Sequence, residues 1–279
     1  MEINEFTHVA EEIGEFGTLF VLDQNGMRYL RFDSAANQTM MSIAEPASLY
    51  SIPLCYTLAP LLWQKSPPSN VLIAGVGGGD LIRFFKKYLP KICLTAIERD
   101  SLVIDLAIKY FQLGKEDSKL IIDDAYSTIK YLSQKNDIII VDLHLLNGMP
   151  TFLEEETFYQ HCFRNLSEEG VLCLNLLPKD KNHLIDIMKT VRKVFDRRCL
   201  YAAIPNHENI TIYAFKHFPL IDRSFEEIND LSFTLSKTYG INFHSIWKEI
   251  KTLNPLLNKN AAHADRPKNR LQLSDILPK

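Results

Sequence analysis

From Val71 onward, short apolar runs alternate with stretches of helical periodicity, beginning with "VLIAGVGGGDLIRFF". That rhythm leaves few folds open: parallel strands need crossovers, and helices supply them while covering the sheet. Strands are expected at 71–75, 92–97, 119–122, 137–142, 171–177, 200–204 and 210–215, and helices at 79–88, 101–111, 126–133, 154–166 and 181–195. Only "PNHEN" separates the last two strands, too little for a crossover, so they should pair as an antiparallel hairpin at the sheet edge.

The remaining segments frame this unit. Residues 16–33 alternate apolar and polar positions around Asn25-Gly26, the signature of a two-residue β-hairpin. Residues 46–63 read as a mostly helical linker interrupted by Pro53 and Pro60. Past Leu220, "SFEEINDLSFTLSKTYG" and "NFHSIWKEIKTLN" read as two helices, followed by a solvated polar tail. The expected division is residues 1–64, 65–220 and 221–279. With 279 residues the chain can bury a sizeable core, and its net charge of −3 without a basic run in the main body gives no nucleic-acid footprint. The five cysteines, at positions 55, 93, 162, 173 and 199, include no CxxC and read as reduced core thiols, so neither a disulfide framework nor a metal site is expected. No run of about 18 apolar residues suggests a membrane span, and the N-terminus lacks a signal-peptide core, which makes the cytoplasm the expected compartment.

Four stations carry the chemistry. Gly75, Gly77, Gly78 and Gly79 lie between the first parallel strand and its helix, where backbone amides can approach a ligand; Asp80 falls where a dinucleotide fingerprint has its last glycine. A tight structural turn is the alternative. Glu98 ends the second strand about 20 residues on, a place from which a carboxylate accepts hydrogen bonds from ribose hydroxyls. Asp123 and Asp124 end the third strand, where Asp124 can accept a hydrogen bond from an adenine amine while the Ala125 N–H faces the ring, or can cap the next helix. Asp142 ends the fourth strand and is a candidate for orienting or deprotonating a nucleophile. His144, two residues later, reads as a loop histidine or as the next candidate base.

These stations, in this order, resemble the class I S-adenosylmethionine-dependent methyltransferase fold, and within it the spermidine synthase (polyamine aminopropyltransferase) branch. The resemblance runs from about Phe16 to Phe215 and includes "YSIPLCYTLAPLL", "LTAIERD", "LIIDDAYSTI", "DIIIVDLHLLNGMP" and "ENITIYAF". It is nearest to bacterial spermidine synthase-like proteins with a G-L-G-G-G-S loop and a Q-S-x-M segment, here Gln38, Thr39, Met40 and Met41. The implied fold is α/β and Rossmann-like: a seven-stranded, mostly parallel sheet with a C-terminal antiparallel hairpin, preceded by a small N-terminal β-hairpin module. The implied co-substrate is S-adenosylmethionine or its decarboxylated form, with an unknown acceptor, no metal, no nucleic acid and no membrane. Relatives commonly dimerise or tetramerise, which makes a homodimer through the N-terminal hairpin a natural expectation.

The chain also departs from the family. A spermidine synthase loop resembling G-G-G-D-G-G puts Gly78 where an aspartate holds the aminopropyl amine, and the family's second acid, which helps bind the diamine, falls on Leu145. Enclosing a dicationic diamine without carboxylates costs several kcal/mol, about 2 or more per unpaired group, so orthodox putrescine aminopropylation is not expected. The expected function is an alkyl transferase, moving an aminopropyl or methyl group. The alternatives are a methyltransferase of a small molecule or protein and a catalytically silent nucleoside-binding scaffold. A nicotinamide-dependent dehydrogenase fits the incomplete fingerprint less well.

Overall fold

A computed structural model describes residues 6–32, 37–145, 148–217 and 224–252. The N-terminal segment forms an antiparallel sheet of four strands, β1 (Thr7–Gly14), β2 (Gly17–Gln24), β3 (Met27–Phe32) and β4 (Asn37–Ser42). Asn25 and Gly26 connect β2 and β3 with φ of 52° and 75°, as a primed turn requires. The expected two-stranded hairpin is therefore only the middle of this sheet. A lone hairpin is marginal in water, and the larger sheet buries Leu19, Val21, Leu30 and Met41 against Val103, Leu106 and Phe111.

The linker departs from expectation: its helical parts are α1 (Ile52–Tyr56) and a 3₁₀ turn at Ala59–Leu62. Pro53 and Pro60 each open one of these pieces, since proline has no N–H for a helix interior.

The second sheet holds β5 (Asn70–Ala74), β6 (Cys93–Glu98), β7 (Lys119–Ile122), β8 (Asn136–Val141), β9 (Leu166–Leu176), β10 (Cys199–Ala203), β11 (Ile210–Phe215) and β12 (Ile250–Thr252). Its order is β12-β10-β11-β9-β8-β5-β6-β7, parallel from β9 to β7 and antiparallel from β9 to β12. The mostly parallel sheet is as expected, but it has eight strands instead of seven, and the β10–β11 hairpin does not lie at the edge. Residues 250–252, expected as helix, pair with Leu200–Ala202 because that edge leaves backbone groups to satisfy, and β-branched Ile250 and Thr252 suit a strand. The rest of the polar tail, residues 253–279, lies outside the described residues.

The helices are α2 (Asp80–Tyr88), α3 (Ser101–Tyr110), α4 (Ala125–Tyr131), α5 (Glu156–Asn165), α6 (Lys181–Val194), α7 (Phe225–Tyr239) and α8 (Phe243–Glu249). Period-two alternation decides which core each strand residue joins. Val71, Ile73, Ile138 and Ile140 pack with Phe84, Phe85 and Ile104, whereas Leu72, Ala74, Ile139 and Val141 pack with Ile129, Phe158 and Ile187. Cover on both faces is why these strands read as unbroken apolar runs. Two cysteines do not fit the expected core: Cys93 is exposed and Cys55 half-buried, while the other three are buried. Among the described residues no helix is long and apolar enough to cross a membrane.

This topology fixes where a ligand can sit. From β5 the chain moves outward through β6 to β7, then returns to the other side of β5 as β8. The strand order reverses between β5 and β8, and a crevice opens beyond their carboxyl ends.

Candidate functional site

The glycine loop follows β5 directly, and each glycine has its own physical reason. At Gly75 (φ +96°) a Cβ would lie 2.1 Å from the Asp142 carbonyl oxygen, so the close approach of the β5 and β8 ends excludes every other residue. Gly79, at φ 85°, is the residue that opens α2. Gly78 is outside the left-handed region, yet a Cβ there would lie 2.5 Å from Thr39 Cγ2.

Four loop amides are satisfied within the chain. The Gly75 N–H donates to the Ile97 carbonyl at 2.9 Å and that of Gly79 to the Val76 carbonyl at 2.9 Å. The Val76 N–H donates to Glu98 Oε2 at 3.0 Å, and that of Gly78 to Thr39 Oγ1 at 2.6 Å. The expectation that glycine amides reach for a ligand is thus corrected for these positions. Such a loop offers close main-chain packing more than a cradle for phosphate, which needs free amides.

Glu98 stands at the end of β6, half-buried, and its other oxygen accepts the Asp100 N–H at 3.1 Å. Each carboxylate oxygen has more than one lone-pair site, so a carboxylate locked onto two amides still has capacity for hydroxyl donors. Asp124 caps α4 by accepting the Ser127 N–H at 3.0 Å, as one of its two readings anticipates. Asp123 accepts from the Asp124 N–H and from Thr128 Oγ1, and its own N–H ties it to the Glu98 carbonyl at 3.0 Å. Ala125 is the buried first residue of α4.

Asp142 lies across the crevice, just beyond β8, with its N–H donated to the Ala74 carbonyl. His144 Nε2 lies 3.0 Å from its Oδ1, and the Asn175 amide donates to the same oxygen at 2.9 Å. Asn209, from the β10–β11 connection, donates to Asn175 Oδ1 at 3.1 Å and so continues the chain of amides. Burial alone would raise the Asp142 pKa, but the hydrogen bond and charge of His144, with the Asn175 amide, hold it below the ordinary 3.8. Burial alone would lower that of His144, but Asp142 raises it above 6.5. The two side chains are 20% and 26% exposed, so this pair faces solvent or a ligand in part.

Asp80 is placed differently. Its carboxylate turns inward, 7% exposed, and forms an ion pair with Arg83. Burial pushes its pKa up to about 6, with the Arg83 charge opposing and the Asp142 charge adding. Arg83 also donates to the carbonyls of Gly78, of Phe111 at 2.7 Å and of Pro46 at 2.7 Å, pinning the loop to the linker and the end of α3. Sequence reasoning missed Arg83, Asn175 and Asn209. Arg83 had a readable signal, since it lies three residues after Asp80 on one helix; the asparagines had none.

The spermine/spermidine synthase domain family matches residues 57–219. A polyamine aminopropyltransferase of Neisseria meningitidis is 28% identical over 245 residues, covering 86% of this chain and 91% of that protein. The crystal structure of a probable spermidine synthase from Corynebacterium glutamicum superposes with a TM-score of 0.70 at 16% identity, covering 95% of this chain and 99% of that one. Human methyltransferase-like protein 13, crystallised with SAH, superposes at 0.54 with 22% identity over 75% of this chain and 95% of that one.

Proposed function

Because the chain belongs to the spermine/spermidine synthase domain family, and is a transferase, we propose that it binds a sulfonium nucleoside of the S-adenosylmethionine type and moves an alkyl group to a nucleophile beside Asp142. The observation that carries this reading is the convergence on one switch-point crevice of the Glu98 carboxylate, the glycine loop and the Asp142–His144 pair. Glu98 takes the ribose hydroxyls, and Asp124 with the Ala125 N–H takes the adenine edge.

The donor brings its own leaving group. As the nucleophile's lone pair forms the new bond to carbon, the carbon–sulfur bond breaks and its electron pair returns to sulfur, leaving a thioether. The protein aligns acceptor and carbon and removes one proton from the acceptor. Asp142, with its lowered pKa, is a weak base and serves as the orienting partner. His144, donating its Nε2–H to Asp142, keeps a lone pair on Nδ1 for that proton.

Putrescine is a poor acceptor in this reading, because Leu145 and Gly78 stand where a diamine dication needs carboxylates. Leu145 exchanges backbone hydrogen bonds of 2.7 and 3.1 Å with Gly148. A second reading, a catalytically silent nucleoside-binding protein, is favoured by the internally satisfied loop amides. Calorimetric titration with S-adenosylmethionine, its decarboxylated form, methylthioadenosine and NAD tests the site. Binding of NAD alone, or of none, defeats the proposal. Product formation with a panel of amine, thiol and hydroxyl acceptors then separates a transferase from a silent binder.

A further inference from the structure

Asp142 is held through one oxygen only. His144 Nε2 and the Asn175 amide both meet its Oδ1, at 3.0 and 2.9 Å, whereas Oδ2 has no hydrogen-bond partner among the described residues and is not sealed from solvent. Asn175 reaches this carboxylate from β9, the strand beside β8, and is 4% exposed. A side-chain amide has two senses, because a half-turn exchanges its donor for its acceptor, and an Asn175 oxygen aimed at Asp142 would set two acceptors against each other. Asn209 removes that choice by donating to Asn175 Oδ1 at 3.1 Å. It stands in the connection between β10 and β11, two residues before Thr211, which pairs with Asn175 across the sheet.

We propose that Asn175 and Asn209 are positioning residues for the chemistry at Asp142: Asn209 fixes the sense of the Asn175 amide, Asn175 fixes Asp142 through Oδ1, and Oδ2 is thereby the atom presented to the acceptor. This rests on the alkyl transfer proposed above. The charged groups that act on Asp142 are His144 on its own loop and Asp80 at the start of α2, paired with Arg83; the Cys173 thiol on β9 is its other titratable neighbour. The two asparagines are neutral, so replacing either leaves all of these in place, and a change at Asp142 then reports lost hydrogen bonds instead of a lost charge.

The test is carboxyl ¹³C NMR titration of Asp142 in the full chain. Asn175→Leu removes a donor from the ionised form and should raise the Asp142 midpoint by about one pH unit or more. Asn209→Ala should raise it by a smaller amount in the same direction. The double variant should titrate where Asn175→Leu alone does, because Asn209 acts only through Asn175. An unmoved midpoint in Asn175→Leu overturns the inference, as does an Asn209→Ala effect that persists undiminished in the double variant. A second measurement needs neither acid nor a variant of the buried residue: at neutral pH, Asn209→Ala, a change in a surface connection, should speed hydrogen exchange of the Asn175 side-chain amide about tenfold. Unchanged exchange also overturns the inference. With an acceptor that gives product, Asn209→Ala should lower kcat while the KM for the nucleoside donor stays within about twofold, and an unchanged kcat removes the positioning role. Failure of S-adenosylmethionine, its decarboxylated form and methylthioadenosine to bind the wild-type protein defeats the transferase reading itself, a different outcome from an unmoved titration in a protein that binds them.

Discussion

In the proposed site, Glu98 and the Asp142–His144 pair are each held by neighbours that set what they can do. Glu98→Ala should weaken nucleoside binding by about 1 to 3 kcal/mol, the cost of losing hydrogen bonds to a charged partner, and unchanged calorimetric affinity would remove Glu98 from the site. The pH dependence follows from the pair. A raised His144 pKa means that the base form accumulates only above the ordinary 6.5, so turnover should climb with pH through a midpoint on the alkaline side of that value. Asp142→Asn withdraws the charge that raises it; the rising limb should move to lower pH and turnover should fall about 100- to 10,000-fold, with nucleoside affinity little changed. A limb that stays in place would exclude His144 as the titrating base. For stability the signs are opposite. The His144 contribution is fully present below 6.5 and is lost as pH rises through its higher folded value, whereas that of Asp142 is present above 3.8 and lost as pH falls through its lower one. The pair thus stabilises the fold most between those two ordinary values.

Elements of secondary structure show how local signals are honoured or overruled. The "SFEE" stretch opens α7 with a complete capping box, Ser224 and Glu227 each satisfying the other's backbone N–H. Ser224→Ala should lower stability by about 1 kcal/mol, visible as a shifted urea midpoint, without altering nucleoside binding. A shift in binding would mean that α7 communicates with the crevice. Elsewhere tertiary demand prevails. After α8 the chain turns to strand because β10 has an open edge, and β9 begins at Leu166, five positions before the apolar run at Val171, because its start pairs with Asn136 of β8.

In the molecule as a whole, one helix packs against both sheets. α3 covers the parallel sheet through Ile104 and Ala107 and the N-terminal sheet through Val103 and Leu106. The site inherits this arrangement, since Thr39 reaches the glycine loop only while β4 stays docked. Leu106→Ala, removing a fully buried side chain from that junction, should cost about 2 to 5 kcal/mol in denaturant unfolding. It should also weaken nucleoside affinity although Leu106 lies in the core between the sheets, and an unchanged affinity would show that the two sheets act independently.

Much of this protein was legible before its structure. Strand and helix order from β5 to β11 follow from apolar periodicity, because only buried parallel strands read as unbroken runs such as "DIIIVD" and only covered helices repeat at their own period. The places of Glu98, Asp124 and Asp142 follow too, since each ends a strand of a sheet whose topology directs strand ends to one crevice. Other features needed tertiary structure, because they are contacts between residues far apart in the chain. Gly75 is glycine because of the Asp142 carbonyl, and Gly78 because of Thr39, 39 positions away. Asn175 and Asn209 look like ordinary polar residues until folding brings them into line behind Asp142. Periodicity records which face a residue buries; it carries no record of the partner met there, and that pairing decides which side chains hold the site.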